Sequence, residues 1–143
     1  MTEITTSTAK MSFILFSATA DKLQAAATMI SGAAAMDVET HVFITFWGLN
    51  AFRKDSITQP LPMPKEYGEM AEMMGKLMVE KGVDPWYELL RMAKDMGNVH
   101  VHACAMTADL LGLTKDDFDP MVEDVIGVGT FVQIAEGGSI VFI

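Results

Sequence analysis

A chain of 143 residues, half of them apolar, is long enough to bury one hydrophobic core without a structural metal, and its single cysteine cannot form an internal disulfide. A formal charge of -9 with no basic run weighs against nucleic acid or an anionic membrane surface as a partner. No apolar run approaches the roughly 20 residues of a membrane helix, so no membrane association is expected.

Residues 1–10 (MTEITTSTAK) carry no basic region ahead of an apolar stretch and read as a flexible N-terminal leader, which leaves 11–143 as one domain. Met11 to Phe16 is short, branched and aromatic, the pattern of a buried strand. Ala20 to Ala35, with Leu23, Ala26, Ala27 and Ile30 at helical spacing and Thr19 as N-cap, predicts a helix. Val38 to Phe46 predicts a second strand that turns away at Trp47-Gly48. Three prolines in 53–64 mark a surface loop.

Lys65 to Lys81 returns to helical spacing, with Met70, Met73, Met74 and Leu77 on one face and Gly82 as the stop. Methionine adapts to many contacts, so the Met70, Met73, Met74, Met78 stripe suits a soft metal or a partner, although core or oligomer packing is the simpler expectation. Asp84-Pro85 reads as a cap and an N1 proline opening a helix through Met96, closed by Gly97-Asn98. The next strand is Val99 to Ala103. A helical turn follows at Met106 to Leu111, then an acidic turn, a strand at Met121 to Val125, a helix from about Gly127 to Glu136 and a last strand at Ser139 to Ile143. Gly127 and Gly129 lack the rest of a dinucleotide fingerprint and are expected to permit close helix packing.

Strands alternating with helices imply an α/β domain: a mainly parallel sheet of about five strands with helices on both faces. Ligands of such folds bind beyond the carboxyl ends of the strands. Cys104 stands there, between a strand end and a helix start, where unsatisfied N–H groups and the helix dipole favour thiolate over thiol. That environment lowers the thiol from its free value of about 8.5. The competing reading is an inert buried cysteine that behaves as a small hydrophobe. Phe46, Trp47, Gly48 and Asn50 leave the second strand on the same edge and are candidates to wall a pocket. Trp47 and Phe46 closing the core is the simpler alternative, and Gly48 marks the turn. Ser17 and Thr19, in the first strand-to-helix turn, are candidate donors to a sulfur species or anion, or plain caps. Ala105 and Met106 adjoin the thiol, and the small Ala105 leaves room for a substrate. His100 and His102 alternate with Cys104 along one strand face. The span from His100 to Cys104 is about 13 Å, too long for three ligands on one ion, so satisfied sheet histidines are expected, with His102 free to tune the thiolate. No metal and no cofactor is expected.

The segments FITFWGLN at 43–50, ACAMTADLLG at 103–112 and EDVIGVGTFVQIAEGGSIVFI at 123–143 together resemble the DsrE/DsrF/DsrH-like family across nearly the whole chain from Met11 onward. The resemblance implies a Rossmann-like, three-layer sulfur-relay fold that forms homo-oligomers. It also implies that the cysteine matching Cys104 accepts sulfane sulfur and passes it to a partner such as a TusA-like carrier. The chain departs from the family pattern in having Ala105 and Thr107 where serines are common, and in lacking the second cysteine that some members carry. Hand-off within one chain is therefore excluded, and sulfur donor and acceptor proteins supply the other thiols. The lone thiol fits a reducing, cytoplasmic setting. Two rival functions stay open: a one-cysteine thiol redox or peroxiredoxin-like protein, and a non-catalytic oligomeric binding module.

Overall fold

The computed structural model describes residues 9–143. Most of the expected leader lies outside the described residues, and Lys10 already opens the first strand. In chain order the elements are β1 (Lys10–Leu15), α1 (Ala20–Ala35), β2 (Glu39–Ile44), α2 (Phe46–Ala51), α3 (Glu69–Glu80), α4 (Trp86–Met96), β3 (Val99–Cys104), α5 (Ala105–Leu111), β4 (Val122–Ile126), α6 (Val128–Ala135) and β5 (Ser139–Phe142). Single 3-10 turns at Lys65–Tyr67 and Lys115–Asp117 complete them. The five strands form one sheet in the order β4-β3-β2-β1-β5, and every pairing is parallel.

Parallel neighbours need crossovers, and right-handed crossovers fix which face each helix covers. The connection from β1 to β2 and that from β4 to β5 run across the sheet in opposite directions, so α1 and α6 lie on opposite faces. Phe131 of α6 stacks on Phe43 at 4.4 Å, which places the Phe43 face under α6. The period-2 alternation then sets Phe13, Leu15, Val42, Ile44, Val101 and Ala103 toward the α1 and α4 side, all buried. His41, Phe43, His100, His102 and Cys104 share the other face.

Several details differ from the sequence reading. The second strand stops at Ile44, and α2 replaces the simple turn at Trp47-Gly48. The bend is made at Phe46, whose φ of +49° is left-handed, and at Gly48, where a Cβ would stand 2.1 Å from the Leu15 carbonyl oxygen. Gly48 N–H donates to the Phe16 carbonyl at 3.0 Å, so α2 starts flush against the end of β1. The helix expected from Lys65 is broken at Gly68, which takes φ +50°. Pro85 is the N-cap of α4 and not its first helical residue. Gly127 and Gly129 face open space, so close helix packing does not explain them. Of α3 only Ala71 is buried: Met70, Met73, Met74 and Leu77 are exposed, and the methionine stripe is not core of this chain. No helix among the described residues is long and apolar enough to cross a membrane.

Candidate functional site

Cys104 is the last residue of β3 and the N-cap of α5, so the sulfur sits at the carboxyl edge of the sheet where α5 begins. β2 runs beside β3 with Ile44 opposite Ala103, which brings Thr45, one residue further on, alongside Cys104. From the other side Thr107, in the first turn of α5, turns its hydroxyl back. The two threonine oxygens lie 3.1 Å apart, and Phe46 N–H donates to Thr107 Oγ1 at 3.3 Å. Both threonines are buried.

Burial alone pushes the Cys104 thiol up. Donation toward the sulfur from Thr107 N–H, from the Thr107 and Thr45 hydroxyls and from Met106 N–H outweighs it, and the thiol titrates below its ordinary value. No donor closes a full capping bond on the thiol, a weak acceptor; these dipoles act on the thiolate. These donors favour the thiolate, the nucleophilic form of cysteine. The residue is also covered: Cys104 is only 4 % exposed, whereas Met106, two residues on, is 58 % exposed. The burial is that of the competing reading of a buried cysteine, while the lowered pKa is that of the thiolate reading.

The remaining candidates fall into three groups. Ala105 and Met106 form the start of α5 beside the sulfur. Ser17, Thr19, Trp47 and Asn50 line a separate cleft of about 490 Å³ between the β1–α1 turn, α2 and the Gln59–Pro62 segment. Cys104 does not line that cleft, so the expected single pocket is divided. The division follows from topology, since the cleft opens at the ends of β1 and β2 and the sulfur at the end of β3. Trp47 is 65 % exposed on the cleft wall and does not close the core. Phe46 is turned to Phe16, ring centroids 5.3 Å apart, and Gly48 is buried beneath. Thr19 holds the N-cap position of α1 without capping it; its Oγ1 is buried and has no hydrogen-bond partner among the described residues.

The histidines are satisfied, through more partners than the sequence suggested. His102 donates or accepts at both ring nitrogens, with Nε2 3.0 Å from His41 Nδ1 and Nδ1 2.7 Å from Asp124 Oδ1. His41 Nε2 lies 3.6 Å from Glu39 Oε2. A line Glu39–His41–His102–Asp124 thus crosses β2, β3 and β4. His100 stacks on His41 at 5.2 Å and is held by Glu123 and Asn98. Among the described residues no group of three or more His, Cys, Asp or Glu is placed to hold a metal ion. Thr45, His41 and Asp124 were not singled out in the sequence, and Thr107 was noted only as a departure from the family pattern. Only the strand register, which sets Thr45 beside Cys104 and Asp124 beside His102, would have found the first three, whereas Thr107 follows from its place in the first turn of the helix that Cys104 caps.

Comparison with known proteins gives concordant results. The sequence matches the DsrE/DsrF/DrsH-like family over residues 7–71 and 59–143. It is 32% identical to the uncharacterized protein YrkE of Bacillus subtilis, across 96% of this chain and 98% of that one. It is 31% identical to the sulfur carrier protein DsrE2 of Allochromatium vinosum, across 75% of this chain and 80% of that one. Among solved structures, a protein of unknown function from Methanobacterium thermoautotrophicum superposes with a TM-score of 0.59 at 20% identity, covering 94% of this chain and 99% of the other. The ychN protein from E. coli does so with 0.61 at 12% identity and the same coverage. At these identities the two structures speak for the fold alone.

Proposed function

The chain belongs to the DsrE/DsrF/DrsH-like family, and from that premise we propose that it is a sulfur-relay protein that carries sulfane sulfur on Cys104 and yields it to the thiol of a partner protein. The observation that carries this reading is the lone thiol at the sheet edge, lowered in pKa by donors from Thr107, Thr45 and Met106. The Cys104 thiolate attacks the outer sulfur of a donor persulfide. The donor S–S bond breaks, the donor leaves as a thiolate, and Cys104-S-SH remains. An acceptor thiolate, a TusA-like carrier being a suitable one, then attacks that outer sulfur and Cys104 leaves as thiolate. Each step exchanges one S–S bond for another, so no external oxidant or reductant is needed.

Because Cys104 is buried, transfer to or from a partner requires the residues around the sulfur to move aside on docking. Ile140 and Phe142 on the edge strand β5, with Val128 and Val132 on α6, are exposed apolar residues that support assembly with further copies of the chain.

Intact-mass measurement after incubation with a persulfidated carrier, thiosulfate or polysulfide tests the reading. The expected result is the added mass of one sulfur atom on the wild type and none on Cys104→Ser. Equal addition to both proteins, or a sulfenic acid formed by peroxide faster than any persulfide, overturns it.

A further inference from the structure

We propose that the hollow between the start of α1 and α3 binds a soft monovalent cation of the Cu(I) class through the thioethers of Met63, Met70 and Met74. The chain has thirteen methionines, and three of them line one cavity of about 330 Å³, together with Asp21 and Tyr67. Met70 and Met74 are one helical turn apart and share a face of α3; Met63 arrives from the segment before Lys65. None of the three is taken up by the core: Met70 is 69% and Met74 52% exposed, and Met63 is half-buried.

A thioether sulfur is uncharged, polarizable and a ligand for soft metals, while hard cations such as Ca²⁺ or Mg²⁺ need oxygen donors that this cavity lacks in number. Asp21 supplies the second, independent observation. Its Oδ1 is shut off from solvent and finds no hydrogen-bond partner among the described residues, although buried polar oxygens are paired as a rule. A cation seated among the thioethers would balance that carboxylate. The site is separate from Cys104, which does not line the cavity, and the proposal stands whether or not Cys104 carries sulfur.

Because a cysteine thiolate also binds Cu(I), the experiment uses the full chain with Cys104→Ser. Anaerobic Cu(I) is titrated against a chromophoric chelator, with Ag(I) as a redox-inert parallel probe. The expected result is about one equivalent bound per chain, weakened on the order of tenfold or more when Met70→Leu and Met74→Leu are combined. Leucine keeps the size and apolarity of methionine, so the double variant folds, which circular dichroism checks. No Cu(I) held by Cys104→Ser overturns the proposal. So does a double variant that binds as tightly as its parent, the outcome expected if the hollow is only an apolar seat for a protein partner.

Discussion

The hydroxyl oxygens of Thr45 and Thr107 meet 3.1 Å apart across the ends of β2 and α5, and both act on the sulfur of Cys104. Neither can be replaced without a consequence for the thiolate, but the two consequences differ. Thr107 Oγ1 also accepts from Phe46 N–H, so Thr107→Val leaves a part-buried donor unpaired and costs stability of about 1 kcal/mol in addition. Thr45→Val keeps that bond and is the cleaner probe. Alkylation of Cys104 in Thr45→Val at neutral pH is expected to slow by roughly three- to tenfold, because a hydrogen bond to the charged form is lost. An unchanged rate would remove Thr45 from the site.

Cys104 reactivity is expected to rise with pH with a midpoint below the free-thiol value of about 8.5, since the sulfur's donors outweigh its burial. The sign of the linked stability follows. A folded-state pKa below the unfolded one means that ionisation stabilises the fold fully above about pH 8.5, and that this contribution is lost as pH falls through the folded value. The stability difference between wild type and Cys104→Ser therefore grows in favour of wild type as pH rises across that window. Paired denaturant titrations at several pH values measure it, and a difference independent of pH contradicts a depressed thiol.

Much of this architecture was legible in the sequence, and the exceptions share a cause. The alternation of MSFILF, the alanine-rich helix, VETHVFITF and NVHVHAC reports strands and helices directly, because burial on both faces of a parallel sheet leaves continuous apolar runs. The position of Cys104 between β3 and α5 was equally readable. What was not readable depends on which residues become neighbours across strands. Thr45 serves Cys104, and His41 serves His102, only through the pairing of β2 with β3. The division of the expected pocket has the same origin, because the cleft opens at the ends of β1 and β2 and the sulfur lies at the end of β3, and nothing local in FWGLN reports that. Helix α2 is not legible in the sequence because its start rests on a left-handed Phe46, a conformation that no propensity favours.

Gly48→Ala is expected to destabilise the protein by about 3 kcal/mol or more, an effect far beyond the loss of helix propensity, which alanine would improve. The new Cβ would meet the Leu15 carbonyl oxygen at 2.1 Å, and both groups belong to backbone that cannot move aside without unpairing β1 from α2. Thermal unfolding of the variant checks this. By contrast Gly129→Ala, in open space within α6, should be neutral or slightly stabilising.

The histidine line sets an acid limit on stability that can be assigned to one residue. His41 titrates below its ordinary value, chiefly because it is buried and then because His102 and His100 stand close; Glu39 opposes the shift. From β2 it faces Glu39, itself 3.6 Å from Lys10 of β1, and from β3 it faces His100 and His102, whose outer partners are Glu123 and Asp124 of β4. With the folded pKa below the unfolded value of about 6.5, the unfolded chain takes up a proton that the folded chain resists. The contribution of neutral His41 is thus complete above about pH 6.5 and is lost as pH falls through the folded value. His41→Asn keeps a neutral hydrogen-bonding group at the position of Nδ1, which meets His102 Nε2, but has no charge to gain. Its unfolding free energy is expected to fall less steeply than that of wild type between about pH 7 and pH 5, where carboxylates contribute alike to both proteins. Identical slopes in urea titrations over that range would mean that the proton enters the cluster elsewhere, and His102, tied to both His41 and Asp124, would be the residue to substitute next.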